Sequence, residues 1–155
     1  MTRSIAHDRF VIERSYPASP ARVYAAFADP AAKIRWFGDP DSEVGASHEI
    51  DFRVGGRESL SGGAPGSGAT FTFDALYQDI VDNERIVYSY DMTMDGKRIS
   101  VSLATLEFLA DGGGTRLILT ELGAYLDGLD TNAVRQQGTE ELLDALGRFL
   151  DSAAG

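Results

Sequence analysis

The chain has 155 residues, a formal net charge of -10 at pH 7 and no cysteine. The absence of thiols excludes disulfides, thiolate metal ligands and cysteine nucleophiles, while the acidic balance, with Lys and Arg scattered singly, disfavours nucleic acid and membrane surfaces as partners. We expect one cytoplasmic domain over residues 1–155, because the sequence has neither a signal-peptide core nor an apolar run of about 20 residues.

A strand followed by two short helices is predicted near the N-terminus. Residues 10–16 have the composition of a strand, and the residues before it, including His7, are expected to be frayed. Ser19-Pro20 and Asp29-Pro30 each place a capping side chain before a proline at the first helical position, so each pair predicts a helix start. The first helix buries residues at helical spacing, namely Val23, Tyr24, Ala26 and Phe27. The second helix is predicted to reach about Trp36.

The middle of the chain alternates between strand-like segments and turns. Strands are predicted over residues 44–54, 57–60, 70–81, 85–94, 97–109 and 115–122. A glycine-rich loop over 61–69 lacks the Gly-Lys-Ser/Thr ending of a phosphate-binding loop. Asp95-Gly96 predicts a two-residue hairpin, because both residues tolerate positive φ. Residues 123–129 are predicted to form a loop.

The chain ends in an amphipathic helix predicted from about Asp130 to Ala154. Its apolar face has a period of 3.6 residues and comprises Leu142, Leu146, Phe149 and Ala153, flanked by Leu143 and Leu150. Gly138 near this face would leave room above the sheet. The order of elements predicts an α+β helix-grip fold, in which a curved antiparallel sheet of about six to seven strands wraps around the long C-terminal helix, with two short helices after the first strand.

Four short motifs carry a resemblance to a known family. They are Ala18–Tyr24 with Phe27, Asp29 and Pro30; Trp36-Phe37 before Gly38; Gly55-Gly56-Arg57; and Gly114–Leu117. In this order they resemble the SRPBCC superfamily, which includes START lipid-transfer domains and the birch pollen allergen. Within it, the chain is most similar to the heat-shock-protein-90 ATPase activator homologue-like family of bacterial proteins. The resemblance implies the helix-grip fold but no shared catalytic residues, and Phe37 stands where the family often has a second tryptophan.

Aromatic and apolar side chains of one sheet face and of the closing helix form the candidate ligand-binding set. Its members are Trp36, Phe37, Phe52, Phe71, Phe73, Tyr77, Tyr88, Tyr90, Met92, Leu142, Leu146 and Phe149. Two interpretations remain open: these residues fill a core, or part of them line a cavity for a small hydrophobic or amphipathic molecule. The tyrosines favour the cavity, because a buried hydroxyl needs a hydrogen-bond partner that a ligand could supply.

Motifs for catalysis or metal binding are weak. His48 lies near Glu49 and Asp51, but a lone strand histidine is usually a surface or structural residue, and we predict no metal site and no cofactor. Asp79 shares the parity of Tyr77, so it either points inward as a candidate acid or base or lies at a solvated strand end. No catalytic residue is assigned.

Three functions are compatible with these patterns. The first is a non-catalytic binding protein for a small hydrophobic or amphipathic molecule. The second is a regulator of a chaperone ATPase, which the family resemblance implies, and the third is a polyketide-cyclase-like enzyme whose cavity positions its substrate. Exposed edge strands are also compatible with a homodimer.

Overall fold

The computed structural model describes residues 3–38, 47–63 and 68–152. Within these ranges, seven strands form one antiparallel sheet in the order β1-β7-β6-β5-β4-β3-β2. The strands are β1 (Ile5–Tyr16), β2 (Ser47–Ile50), β3 (Arg57–Gly62), β4 (Phe71–Val81), β5 (Arg85–Met94), β6 (Lys97–Asp111) and β7 (Gly114–Leu126). The helices are α1 (Pro20–Ala28), α2 (Pro30–Lys33) and α3 (Asn132–Ser152). This architecture confirms the predicted helix-grip fold.

The two predicted helix starts are confirmed by their hydrogen bonds. The Ser19 hydroxyl accepts from the backbone N–H of Arg22 at 3.3 Å, and a proline follows each cap. The Asp29 carboxylate accepts from the backbone N–H of Ala31 at 3.1 Å. Each side chain thus satisfies a donor that the first helical turn leaves free. Helix α2 ends at Lys33 rather than near Trp36, and turns lead the chain on to Phe37.

Two-residue turns join the neighbouring strands β5, β6 and β7. Asp95 and Gly96 have φ angles of 51° and 82° between β5 and β6, which confirms the predicted hairpin. The next turn has the same form, because Gly112 and Gly113 connect β6 to β7. Positive φ at both central residues matches the right-handed twist of the flanking strands, so these turns keep β5, β6 and β7 in register.

A β-bulge changes the side of the sheet on which Asp79 lies. The pairing of β4 with β5 shifts register between Tyr77 and Asp79, which leaves Gln78 as the extra residue. After the bulge, Ile80 packs on the core, and Asp79 is 45% exposed and pairs with Arg85 at 2.7 Å. Of the two interpretations of Asp79, the solvated one therefore holds and the inward one does not, because one inserted residue reverses the alternation.

The strands β1 and β7 are longer than their sequence patterns indicated. Strand β1 begins at Ile5, and His7 pairs in register with Ala124, so this terminal segment is not frayed. Strand β7 continues through the predicted loop to Leu126. The glycine at 123 suits a strand here, because a Cβ would lie only 2.8 Å from the hydroxyl of Tyr125. By contrast, β2 is shorter than predicted, and residues 44–46 of that prediction lie outside the described residues.

Helix α3 is rotated relative to the predicted apolar face. Its buried residues are Arg135, Thr139, Leu143, Leu146 and Leu150, whereas Leu142 and Phe149 are half-buried, and Ala153 lies outside the described residues. Two hydrogen bonds fix this rotation: Tyr16 of β1 donates to the carbonyl of Leu143 at 2.8 Å, and Arg22 of α1 donates to that of Leu150 at 2.6 Å. The helix therefore turns a mixed polar and apolar face towards the sheet.

Candidate functional site

A cavity of about 460 Å³ lies between the inward face of the sheet and the N-terminal half of α3. Eight of the predicted ligand-binding residues border it: Trp36, Phe37, Phe71, Phe73, Tyr88, Tyr90, Met92 and Leu142. Gly138 of α3 also borders it, and a Cβ built on Gly138 would meet no atom within 4 Å. Gly138 is itself exposed, so the glycine leaves open space at the edge of the cavity.

Four of the predicted residues lie elsewhere. Phe52 and Tyr77 pack against each other, with ring centroids 5.0 Å apart, near the end of the sheet formed by β2 and β3. Leu146 is fully buried in the core, one turn of α3 beyond the cavity. The ring of Phe149 faces the guanidinium of Arg35 at 5.2 Å and borders a separate surface depression. Phe52, Tyr77 and Leu146 pack on the core, but strand parity and helix period did not fix their positions along the chain. Phe149 is only half-buried, because α3 is rotated relative to the predicted face.

The structure also brings residues to the cavity that the sequence analysis did not assign to it. The apolar ones include Phe27, Leu60, Ile99, Leu119, Leu129 and Val134. The polar ones are Glu121, Asp130, Arg135 and Thr139. Of these, Glu121 could have been predicted from the sequence, because it alternates in step with the inward-facing Leu117 and Leu119 on β7.

Arg135 organises the polar end of the cavity, which we call the Arg135 cluster (Tyr90, Ser100, Ser102, Glu121, Asp130 and Arg135). Its guanidinium donates to the Tyr90 hydroxyl at 3.0 Å, to Ser100 at 2.8 Å and to the Asp130 carboxylate at 2.5 Å. Tyr90 in turn donates to Glu121 at 2.7 Å. The cluster joins β5, β6, β7 and α3 through charge-assisted hydrogen bonds, which are stronger than neutral ones.

Glu121 titrates near neutral pH. The residue is only 2% exposed, and burial raises the pKa of its carboxyl group to about 7, although the hydrogen bond from Tyr90 and the charge of Arg135 oppose this increase. Desolvation disfavours the charged form of a carboxyl group. A carboxyl group with this pKa can either give or take a proton near pH 7.

Tyr88 contributes a polar hydroxyl to the cavity wall. Its side chain is buried, with 8% of the residue exposed, and within the described part of the chain its hydroxyl forms no hydrogen bond. Burial raises its pKa well above the ordinary value, so the hydroxyl keeps its proton. Its ring lies beside those of Phe73 and Tyr90, with centroid distances of 6.3 and 5.8 Å. The hydroxyl is therefore available to a ligand.

A second buried polar group, the Glu58 cluster (Lys33, His48, Glu58 and Tyr77), supports the wall beside Phe37. Glu58 accepts hydrogen bonds from Lys33 at 2.6 Å, from Tyr77 at 2.5 Å and from His48 at 2.7 Å. Burial alone would raise the pKa of Glu58, but Lys33 and the hydrogen bonds from His48 and Tyr77 lower it to about 2. The Lys33 ammonium also lies 4.4 Å from the centroid of the Phe37 ring. His48 thus has a structural role, which was one of the two interpretations of a lone strand histidine.

The curved antiparallel sheet, the two short helices after β1 and the C-terminal helix define a helix-grip domain of the SRPBCC superfamily. Residues 17–151 match the family model described as "Activator of Hsp90 ATPase homolog 1-like protein", and the chain belongs to this family. In the described part of the chain, no helix is long and apolar enough to cross a membrane.

Several solved structures are similar over nearly the whole chain. An uncharacterised protein from Rhizobium leguminosarum is 42% identical, with a TM-score of 0.91 over 98% of this chain and 99% of that one. The Mll3558 protein from Rhizobium loti is 47% identical, with a TM-score of 0.87 over 95% and 99%. An AHSA1-like protein from Aeromonas hydrophila shares the fold at 23% identity, with a TM-score of 0.70 over 95% and 94%. None of the curated proteins matches the chain.

Proposed function

We propose that the protein binds a small hydrophobic or amphipathic molecule in the cavity between the sheet and α3. The observation that carries this proposal is the cavity itself, whose volume of about 460 Å³ lies within the range of roughly 300–1,000 Å³ that is typical of ligand sites. Protein interiors are normally packed almost as densely as organic crystals. A cavity of this size between two well-packed elements therefore favours a binding role over simple core formation.

The distribution of polar groups supports the same proposal. Most of the cavity wall is aromatic or aliphatic, whereas polar groups are few and include the Tyr88 hydroxyl and the Arg135 cluster. Ligand sites commonly combine an apolar wall with a small number of fixed polar groups that orient the ligand. In this cavity, Tyr88 and Glu121 would be the polar groups that orient the ligand.

Replacing Gly138 with leucine is expected to weaken the binding of decanol, because Gly138 borders the cavity and the added side chain would take up open space beside its wall. In the wild type, free decanol at about 100 times its Kd should stabilise the fold by about 2.7 kcal/mol. That stabilisation corresponds to a rise of roughly 5–10 °C in melting temperature for a chain of this length. Thermal unfolding with and without decanol measures the effect.

Gly138→Ala is the matched control for this experiment. Alanine adds little volume and should stabilise α3 by up to about 1 kcal/mol through its higher helix propensity, while decanol binding persists. Equal decanol-dependent shifts in the wild type and in Gly138→Leu would contradict binding in this cavity. If binding is confirmed, native mass spectrometry of the protein from its own host would identify the molecule that it carries.

An acid–base enzyme is a second candidate, favoured by the pKa of about 7 at Glu121. A catalytic acid or base works best when its pKa lies near the working pH, and Glu121 lies at the cavity with Tyr90 and Arg135 beside it. If the wild type turns over a bound substrate and Glu121→Gln loses this turnover but still binds decanol, the result would favour an enzymatic function over a non-catalytic binding function.

A further inference from the structure

We propose that the molecule bound in this cavity is an amphipathic amine, whose ammonium group lies against Glu121 and Tyr88 while its apolar part fills the aromatic end. This inference rests on the proposed function and specifies the ligand of the same cavity. It follows from three properties of the cavity wall: its charges, its hydrogen-bonding capacity and its aromatic rings.

The charged groups at the cavity wall do not balance. Among the described residues that border the cavity, two carboxyl groups, Glu121 and Asp130, face one guanidinium, that of Arg135. The nearby ammonium of Lys33 does not alter this excess, because it is paired with Glu58. When Glu121 is ionised, the wall carries an excess negative charge that a ligand cation would neutralise, whereas a ligand carboxylate would meet repulsion in a medium of low dielectric constant.

The hydrogen-bonding capacity at the wall also favours a donor on the ligand. A guanidinium has five N–H donors, and Arg135 directs four of them towards acceptors within the protein, namely Tyr90, Ser100, Ser102 and Asp130. Unless it displaced these contacts, an anionic ligand would have only the fifth N–H donor of Arg135 available to it. By contrast, the Tyr88 hydroxyl has free acceptor capacity, and the carboxyl group of Glu121 has lone pairs beyond the one that Tyr90 occupies.

Aromatic rings around the cavity offer a further stabilising interaction for an ammonium group. The rings that border it include those of Phe27, Trp36, Phe37, Phe71, Phe73, Tyr88 and Tyr90. A cation over the face of an aromatic ring is attracted by the ring's electrons, and most strongly when the cation is desolvated. This wall already holds cations in that manner, because Lys33 lies over Phe37 and Arg135 lies 5.6 Å from the ring centre of Tyr90.

Binding of an amine should depend on pH through Glu121. The groups that face this carboxyl group are Tyr88 and Tyr90 from β5, Ser100 and Ser102 from β6, Tyr125 from its own strand, Asp130 from the loop before α3 and Arg135 from α3, with the apolar Phe10 beside it on β1. Of these, only the carboxylates and Arg135 carry charge near neutral pH. An ammonium beside Glu121 favours its ionised form, so binding expels a proton and the affinity rises between pH 6 and 8.

The experiment compares decylamine, decanol and decanoic acid, each binding to the full chain, by isothermal titration calorimetry at pH 8. A cavity of about 460 Å³ accommodates about 15 non-hydrogen atoms at roughly 30 Å³ each, so all three compounds fit. Because a hydrogen bond to a charged group contributes more than a neutral one, we expect decylamine to bind about tenfold more tightly than decanol, and decanoic acid to bind most weakly. Glu121→Gln should remove the advantage of the amine.

Asp79→Asn is the matched control, because it removes the same formal charge from an exposed carboxylate that lies outside the cavity wall. It should leave the ratio of the decylamine and decanol affinities unchanged. If decanol binds but decylamine binds no better, or if the ratio in the wild type is constant from pH 6 to 8, the amine inference is overturned while the proposed function stands. If none of the three compounds binds, the proposed function itself fails.

Discussion

Replacing Glu58 with glutamine is expected to lower the free energy of unfolding by about 3–5 kcal/mol, because it leaves the buried Lys33 ammonium without its counter-ion. The side chains of Glu58 and Lys33 are only 1% and 3% exposed, so water cannot replace the lost charge. Glutamine has nearly the same shape, and the loss therefore reports the charge rather than packing. Urea unfolding at pH 7 measures it.

Two controls separate this effect from a general sensitivity to mutation. Asp79→Asn breaks the exposed pair with Arg85 and should change the free energy of unfolding by less than about 1 kcal/mol. The double variant Lys33→Met with Glu58→Leu removes both charges and should recover much of the loss, as apolar replacements of buried ion pairs often do. A loss in Glu58→Gln as small as that in Asp79→Asn would show that the pair contributes little.

The contribution of Glu121 to the free energy of unfolding is expected to fall as the pH rises from about 4.5 to 7. The folded-state pKa of this carboxyl group is about 7, against an ordinary value of 4.5. The folded state therefore holds the proton more tightly, so the contribution is fully present below pH 4.5 and is lost once the pH passes 7. A shift of this size corresponds to about 3 kcal/mol.

Glu58 has the opposite dependence on pH, and this separates the two groups. Its pKa of about 2 lies below the ordinary value of 4.5, so its stabilisation is present above pH 4.5 and is lost as the pH falls towards 2. Urea unfolding of the wild type and of Glu121→Gln between pH 4.5 and 8 isolates the contribution of Glu121 as a difference. A difference that stays constant over this range would contradict the shifted pKa.

The sequence was sufficient for those parts of the fold that depend on local patterns. Alternation identified the inward faces of β4 and β5, and the caps at Ser19 and Asp29 identified both short helices. The full lengths of β1 and β7 could not be predicted in this way. Each strand continues because the other supplies its hydrogen bonds, as in the pairing of Ile5 with Leu126, and no local pattern indicates such a distant partner.

The cavity could be predicted only in part, for three physical reasons. The bulge at Gln78 reverses parity without a glycine or proline to mark it. The rotation of α3 depends on hydrogen bonds from Tyr16 and Arg22, which come from distant parts of the chain. The buried Lys33, Glu58 and Arg135 have no local pattern that distinguishes them from other charged side chains, most of which are exposed.

The position of β1 in the sheet has a consequence for synthesis of the protein. Strands β2 to β6 each pair with the next strand along the chain, whereas β1 pairs with β7. The ribosome therefore releases β1 first but completes its partner only after every other strand has been made. Until then, the edge of β1 that will bond to β7 has no partner in the sheet, and the nascent chain depends on other means to shield it.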